Sequence, residues 1–201
     1  MNDLSGAIHR QAGRSTVAPL KNMALLDGLV RGTINRPPHL PGMACYYGPS
    51  GYGKSFAGAH VAAELGAYEI EAKSTWSRKA LLLAVLTTMG IRPAHTIAEM
   101  VDQIGEELAL SGKPLIVDEA DNLVARNLVE TVRDIYLASN APVIWIGEEA
   151  LPQKLKRWER VHGRMLDWVA AQPTDLEDAR ALAAVYCPKV QVDDALLERF
   201  V

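Results

Sequence analysis

The sequence has 201 residues and a formal net charge of −3. The length allows one α/β core with a small appendage. The charge argues against a globally basic protein that coats nucleic acid, although it leaves room for a local basic stripe. Its two cysteines, Cys45 and Cys187, lie far apart and in no metal-ligand spacing, which argues against a disulfide framework and a zinc site. No apolar run approaches the ~18 residues of a membrane span, and the N-terminus lacks an apolar signal core. We therefore expect a soluble cytoplasmic protein with no membrane partner.

The N-terminal segment is predicted to contain a polar arm followed by one helix. Residues 1–16 are polar and have only a weak helical pattern, which predicts a flexible arm. Residues 17–40 carry a helical period that Pro37 and Pro38 end. The period is formed by Met23, Leu26, Leu29 and Val30.

A glycine-rich segment then links a predicted buried strand, residues 43–47, to a predicted Ala-rich helix, residues 56–65. Its sequence fits G-x-x-x-x-G-K-[ST] at every fixed position, which identifies a P-loop. In such a turn, backbone N–H groups and the positive end of the helix dipole converge on phosphate. We expect Lys54 to reach the β- and γ-phosphates of ATP and the Ser55 hydroxyl to bind Mg²⁺. The predicted nucleotide-binding residues are Gly48, Pro49, Ser50, Gly51, Tyr52, Gly53, Lys54, Ser55 and Phe56.

A cluster of polar and basic residues follows the second predicted strand, residues 67–72. Its members are Lys73, Thr75, Arg78 and Lys79. The cations can neutralise phosphates and the hydroxyl can hydrogen-bond them, which predicts contacts with a nucleic-acid backbone. In the alternative interpretation, Ser77 is only the N-cap of the helix over residues 80–89 and the charges are solvated.

An acidic motif closes the third predicted strand. Thr96 and Glu99 have capping-box spacing and predict the start of a helix. After that helix, an apolar run over residues 115–117 ends on Asp118 and Glu119. This pattern is typical of a Walker B strand in the middle of a parallel sheet. Asp118 is expected to hold Mg²⁺ through water, and Glu119 to act as the general base toward the attacking water. Residues 118–121 also match the signature of DEAD-box RNA helicases, but those enzymes need two RecA-type domains, for which the chain is too short.

The rest of the chain is predicted to complete the sheet and add a small helical unit. We expect one long amphipathic helix over residues 122–139, a buried strand over 141–147 and an edge-proximal strand over 165–170. Residues 154–164 are the most basic stretch, and three interpretations stay open for it: an arginine supplied to the ATP of a neighbouring copy, a contact to nucleic-acid phosphates, or a solvated helix face. A capping box from Thr174 to Glu177 predicts another helix to 186.

This order of elements resembles that of AAA+ ATPases, and within them the transposition ATPases of bacteria and their phages, the Mu B type. The secondary motifs that carry the resemblance are residues 17–22, 73–77, 118–121 and 160–164. It implies an α/β P-loop NTPase fold with a central parallel five-stranded sheet flanked by helices. The domains would be the arm, residues 1–16, the nucleotide-binding domain, residues 17–172, and a partial helical lid, residues 173–201. After the fourth strand, where the family usually has a small polar residue, the chain has Gly147 and Glu148.

The same resemblance implies a function and further site residues. ATP binding would assemble copies of the chain into a filament on double-stranded DNA, which selects target DNA and recruits or stimulates a transposase, and hydrolysis would dissolve it. Arg164 resembles the arginine finger, with Arg160 as the second choice, and the cluster of Lys73, Thr75, Arg78 and Lys79 matches the DNA-facing loop. The location would be the cytoplasm of a bacterial or phage-infected cell.

Three other functions are compatible with the same motifs. A helicase-loader or replication-initiator ATPase shares all of them. A P-loop kinase for a small acceptor predicts phosphoryl transfer that DNA does not stimulate. A non-hydrolysing, ATP-gated DNA scaffold predicts normal DNA binding with almost no turnover.

Overall fold

The computed structural model describes residues 17–201, so the predicted arm over residues 1–16 lies outside the described range. The chain divides into two compact units. The larger comprises residues 21–174, and the smaller comprises residues 175–201 together with the described part of the segment that precedes residue 21.

The larger unit is built on a five-stranded sheet in the order β2-β3-β4-β1-β5, and every pairing is parallel. The strands are Met43–Tyr47 (β1), Tyr68–Glu71 (β2), Leu115–Asp118 (β3), Val143–Gly147 (β4) and Met165–Ala170 (β5). The central strands β3, β4 and β1 are apolar and buried over almost their whole length, because helices cover both faces of a parallel sheet. The predicted α/β fold with a central parallel five-stranded sheet is confirmed.

Helices surround this sheet. Their bounds are Lys21–Ile34 (α1), Lys54–Leu65 (α2), Arg78–Met89 (α3), Ile97–Ser111 (α4), Asp121–Ala125 (α5), Val129–Ser139 (α6), Leu151–Leu155 (α7) and Glu159–His162 (α8). The capping box predicted for α4 is present: Thr96 Oγ1 accepts from Glu99 N at 3.2 Å, and Glu99 Oε2 accepts from Thr96 N at 3.0 Å. Within residues 17–201, none of the helices combines the length and the apolar character needed to cross a bilayer.

The single helix predicted over residues 122–139 is wrong, because the chain breaks between α5 and α6. Asn127 has a φ of 55°, a left-handed conformation that asparagine tolerates better than most side chains. Leu128 N then donates to Leu123 O at 2.8 Å. Leu123, Leu128 and Val129 are all buried in one core, so the apolar period continues across the break and hides it in the sequence. As a result, α5 is a separate short helix directly after β3.

The smaller unit contains two helices, Leu176–Tyr186 (α9) and Asp194–Leu197 (α10), and a 3₁₀ turn over Glu198–Phe200. The capping box of α9 pairs Asp175 with Asp178, one residue later than the predicted pair of Thr174 and Glu177. The two helices are joined by a bidentate ion pair, in which Arg180 Nε and Nη2 donate to Asp194 at 2.9 and 2.6 Å.

The register of the larger unit sets the ends of its central strands at one edge. Tyr47 is paired with Gly147, and Glu71 is paired with Asp118. The segments that leave the sheet after β1, β2, β3 and β4 therefore start side by side. Ligand sites of open parallel sheets lie at this carboxyl edge.

The packing of α4 against α6 gives a test of the fold. An ideal Cβ on Gly105 would lie 2.5 Å from the Cβ of Ala138, so we expect Gly105→Ala to lower the free energy of unfolding by about 1–3 kcal/mol through overpacking. Gly28 on α1 is the control: nothing lies within 4 Å of its ideal Cβ. Gly28→Ala should raise the free energy of unfolding by about 0.4–1 kcal/mol. Urea unfolding measures both, and a stabilising Gly105→Ala would contradict the packing.

Candidate active site

The turn from β1 into α2 has the backbone that a P-loop needs. Gly51 and Gly53 have φ values of 87° and 72°, which glycine adopts without the steric cost of a side chain. Because α2 begins at Lys54, the N–H groups of its first turn and the positive end of its dipole are directed at the loop. Lys54 Nζ donates to the carbonyl oxygens of Gly48 and Pro49, at 2.8 Å each, which keeps the ammonium group on the loop.

A buried asparagine fixes the P-loop from outside the motif. Asn22 Nδ2 donates to Tyr52 O and Gln172 O, both at 2.8 Å, and Asn22 Oδ1 accepts from the Tyr46 hydroxyl at 2.8 Å and from Gln172 N at 2.9 Å. One amide therefore connects α1, β1, the P-loop and the segment after β5. No structural role for the Asn22 side chain was predicted from the sequence. The only signal was a polar residue inside the apolar period of α1.

The two acids of the Walker B motif have different environments. Asp118 is 6% exposed, and its Oδ1 accepts from Glu119 N at 2.8 Å. Glu119 is exposed and has a φ of 52°, a strained conformation of the kind that is often kept at functional sites. Partial loss of hydration, and then the negative charges of Asp118 and Asp121, raise the pKa of Glu119 above its ordinary value. A raised pKa makes this carboxylate a stronger base.

A cavity of about 310 Å³ brings most of the predicted nucleotide site together. The predicted residues among its lining are Ser50, Gly51, Gly53, Lys54, Ser55, Phe56, Asp118 and Glu119. Gly48, Pro49 and Tyr52 are not part of that lining. Their carbonyl groups accept hydrogen bonds from Lys54 and Asn22 instead.

The lining of the same cavity fits an Mg²⁺ ion that takes most of its ligands from phosphate oxygens and water. Across residues 17–201, no group of three or more His, Cys, Asp and Glu side chains has a metal-binding arrangement. Ser55 and Asp118 nevertheless both line the cavity. Mg²⁺ in nucleotide sites typically takes one or two protein oxygens and fills its octahedron with phosphate oxygens and water. These two side chains therefore fit a nucleotide-bound Mg²⁺.

An ion pair occupies the space next to the end of β4. Asp121 Oδ1 lies 2.6 Å from Lys154 Nζ, and Asp121 Oδ2 accepts from Glu148 N at 2.7 Å. Lys154 Nζ also lies 3.4 Å from Glu148 Oε2. The hydrogen bond that Lys154 donates to Asp121, more than any other contact, raises the pKa of Lys154. An ideal Cβ on Gly147 would overlap with Asp121 Oδ2. The Asp121 carboxylate therefore takes the space that a small polar side chain at position 147 would need.

The two candidate finger arginines lie near the amino-terminal ends of the strands, opposite the carboxyl ends where the P-loop lies. Arg160 is on α8, Arg164 directly precedes β5, and both are exposed. The carbonyl oxygen of Arg164 accepts from Met43 N at 3.0 Å, at the start of β1. At ~3.3 Å per residue, the length of β1 separates this edge from the P-loop by about 16 Å. Arg164 therefore lies too far away to reach the P-loop of its own chain.

The predicted DNA-contacting residues are all exposed and close to one another in the chain. Lys73 and Thr75 lie between β2 and α3, whereas Arg78 and Lys79 form the first turn of α3. The side chain of Ser77 accepts from Ala80 N at 3.3 Å, so it is an N-cap, as the alternative interpretation proposed. The cap does not involve the side chains of Lys73 and Lys79, which are exposed to a partner.

A further cation joins this cluster from the residue that directly follows α5. Arg126 is exposed, and its Nε donates to Trp76 O at 3.4 Å. Arg78 is less free than its neighbours, because its Nε donates to the buried Thr131 Oγ1 at 3.1 Å. We call residues 73–79, which include Lys73, Thr75, Arg78 and Lys79, the basic segment from here on, and Arg126 lies against it.

The ion pair beside β4 predicts that substitutions of two nearby lysines change the free energy of unfolding by different amounts. Lys154→Met would leave Asp121, whose side chain is 11% exposed, without its cation. We expect this to lower the free energy of unfolding by about 1–3 kcal/mol. Lys156 is exposed, and Lys156→Met should change it by less than about 0.5 kcal/mol. Denaturant titration of both variants measures the difference, and equal effects would show that the ion pair is not structural.

The fold is similar to solved structures of ATP-binding and DNA-binding proteins. The ORC1 protein of Aeropyrum pernix in complex with DNA matches with a TM-score of 0.60 and 16% identity, over 84% of this chain and 48% of that chain. The ORC2 protein of Aeropyrum pernix, in ADPNP and ADP complexes, matches with 0.64 and 10%, over 84% and 54%. A Walker-type ATPase of Pyrococcus abyssi matches with 0.62 and 18%, over 90% and 61%. At these identities the likeness shows the fold alone.

The three matched structures are longer than this chain. The chain spans between 48% and 61% of the length of these three structures. Comparison with curated proteins gives no significant match. The sequence profile of the AAA domain matches residues 39–155, a range that runs from before β1 to the end of α7. It includes the P-loop, Asp118 and Glu119 but not Asn22, Arg160 or Arg164. More than half of the chain fits this profile, and the protein therefore belongs to the AAA domain family.

Proposed function

We propose that this protein hydrolyses ATP and binds double-stranded DNA as an assembly of its own copies, in the manner of a replication initiator or helicase loader. The observation that carries the proposal is the cavity in which Lys54, Asp118 and Glu119 meet, combined with the position of Arg164 at the opposite edge. The AAA family supports ATP as the ligand. The likeness to ORC1 in complex with DNA supports the partner.

The geometry suggests how the residues would divide the work. The N–H groups at the start of α2 and the ammonium group of Lys54 would neutralise the phosphates of bound ATP. Ser55 and Asp118 would hold Mg²⁺, which supplies further charge neutralisation. Glu119 would accept a proton from water as the water oxygen bonds to the γ-phosphorus and the bond from that phosphorus to the oxygen of ADP breaks. Arg164 of another copy would stabilise the charge that develops.

The transposition function has weaker support than the initiator or loader function. Two of the three structures described above are ORC proteins, and the comparisons lend no support to a transposase partner, a filament or a phage origin. Electron microscopy of the protein with double-stranded DNA separates the two functions. Filaments that form only with ATP would favour target-DNA selection, whereas closed rings would favour an initiator or loader. Isolated particles in every condition would contradict the assembly of copies.

The role of Glu119 gives a kinetic prediction. Glu119→Gln removes the base but keeps the shape, so we expect ATP turnover to fall at least ~100-fold while ATP affinity stays within a few-fold. Because the carboxylate must be ionised to accept a proton, wild-type turnover should fall as the pH decreases, and the fall should be centred above the ordinary glutamate pKa of 4.5. Steady-state ATPase assays and nucleotide titration measure these quantities.

The control for this variant is Glu149→Gln, since Glu149 is exposed next to Glu148 but is not part of the cavity lining. It should hydrolyse ATP like the wild type. Wild-type turnover by Glu119→Gln would refute the role of Glu119. If the wild type turns over ATP but DNA does not stimulate this turnover, the result would favour a small-molecule kinase instead.

The position of Arg164 predicts complementation between subunits. Arg164→Ala and Glu119→Gln should each lack turnover when pure. In an equimolar mixture, roughly a quarter of head-to-tail junctions would combine an intact Glu119 with an intact Arg164, and turnover should return in proportion. Arg92→Ala, an exposed substitution in the segment between α3 and α4, is the control and should be active alone. Absence of recovery on mixing would contradict a role between copies, and full activity of pure Arg164→Ala would point to Arg160.

A further inference from the structure

A second cavity lies between the segment around α5 and the segment around α7, and we call it the α5–α7 cavity. Its volume is about 450 Å³, within the range of roughly 300–1,000 Å³ that is typical of small-ligand sites. It shares no lining residue with the nucleotide cavity. Six of its lining residues come from these two segments: Val124, Ala125, Asn127, Lys154, Arg157 and Trp158.

The charges in this lining leave one cation without a partner. Asp121 and Lys154 both line the cavity, but they are paired with each other at 2.6 Å, so their charges offset. Arg157 is exposed, and within residues 17–201 no group forms a hydrogen bond or an ion pair with its guanidinium. A guanidinium group binds the oxygens of a phosphate in a bidentate geometry. The cavity therefore offers a site for one phosphate.

The rest of the lining suits a flat, partly polar group. Trp158 is half-buried and packs against the main core, which holds its indole ring in place. Val124 and Ala125 add apolar surface to the same cavity. An aromatic ring of this kind stacks on any nucleobase, because every base has a π-face. The exposed amide of Asn127 can donate to and accept from the edge of a base.

The cavity adjoins the basic segment through Arg126. Arg126 Nε donates to Trp76 O, within the basic segment, at 3.4 Å, and Arg126 directly precedes Asn127 in the cavity lining. Consecutive Cα atoms are ~3.8 Å apart, close to the ~3.4 Å that separates nucleotides along one DNA strand. A strand that contacts the basic segment and Arg126 would therefore reach the cavity within about one nucleotide. This position favours a nucleic-acid strand over a peptide as the ligand.

We propose that the α5–α7 cavity binds one unpaired nucleotide of a DNA strand whose backbone follows the basic segment. The base would stack on Trp158, and the phosphate would pair with Arg157. A base of an intact duplex enters such a site only after extrusion, which costs free energy, and the cost is least for a base that is already unpaired. The protein would therefore prefer DNA that carries an unpaired nucleotide. The proposal rests on the proposed function, since it requires DNA binding by this chain.

The test compares two labelled duplexes of one sequence, one fully paired and one with a single unpaired adenine, by fluorescence anisotropy in ATP. We expect the wild type to bind the second duplex ~10-fold more tightly, the order of one base–aromatic stacking contact. Trp158→Leu keeps an apolar side chain against the core, so it should reduce this preference to less than ~2-fold and leave the affinity for the paired duplex within ~2-fold. The control is Trp168→Leu, which should keep the preference, because Trp168 packs against the same core but does not line the cavity.

A second pair of variants tests the phosphate contact. Arg157→Gln removes the charge, and we expect it to reduce the preference for the unpaired nucleotide to ~2–3-fold. The neighbouring Lys156 is exposed but lies outside the cavity lining, so Lys156→Gln should keep the preference. An equal loss in both variants would show a general effect of charge and overturn the assignment of Arg157.

Two results separate this proposal from the proposed function. If the wild type binds both duplexes with the same affinity, or if Trp158→Leu keeps the full preference, the nucleotide site is refuted while DNA binding stands. If the wild type binds neither duplex in ATP, the proposed function is itself refuted, and the nucleotide site with it.

A measurement on the wild-type protein covers the case in which Trp158→Leu does not fold. Iodouracil replaces the unpaired adenine, the complex is irradiated, and mass spectrometry identifies the crosslinked residue. We expect the crosslink at Trp158, and a crosslink confined to the basic segment would overturn the proposal. Free iododeoxyuridine monophosphate carries the same base and a phosphate, but it lacks the strand that contacts the basic segment. At the same concentration it should give no crosslink, and a crosslink to Trp158 would assign the cavity to free nucleotides instead.

Discussion

The parallel register of β1, β3 and β4 is the constraint on which the candidate site depends. Because these strands end at one edge, the P-loop, the Walker B acids and the β4 loop leave the sheet side by side. A slip of one residue in β3 would turn Asp118 to the opposite face. Side-chain contacts then fix each loop relative to the edge: Asn22 holds the P-loop, and Asp121 holds the start of the segment after β4. Backbone pairing therefore places the loops of the site, and side-chain contacts then hold each loop in position.

The lining of the cavity at this edge carries more negative than positive charge. Asp118, Glu119 and Glu148 line the cavity, while Lys54 is the cationic side chain in that lining. Lys154 lies nearby but is paired with Asp121. A triphosphate that enters such a cavity needs a divalent cation to offset the carboxylates as well as to polarise phosphate. Loss of hydration, and after it the negative charges of Asp118 and Asp121, raise the pKa of Glu119.

The sequence was most informative where the physics is local. The P-loop and the Walker B strand depend on residues within a single turn or strand, and both were located from spacing and apolar runs. The break at Asn127 was missed because the flanking apolar residues enter one core. The roles of Asn22 and Lys154 were missed because their partners are distant in the chain: Gln172 follows Asn22 by 150 residues, and Lys154 follows Asp121 by 33. No local pattern encodes such pairs.

The two edges of the sheet carry different parts of the proposed activity. The cavity and the basic segment both lie at the carboxyl edge, whereas Arg164 lies at the start of β5. On the proposed function, a contact that brings Arg164 to the cavity of another copy joins two different surfaces, which is a heterologous interface and generates either a closed ring or an open filament. On the proposed function, each added copy would bring one more basic segment, so a chain with a net charge of −3 would gain DNA affinity from the number of copies rather than from its own overall charge. On the proposed function, assembly, DNA binding and hydrolysis then depend on the same contact between copies.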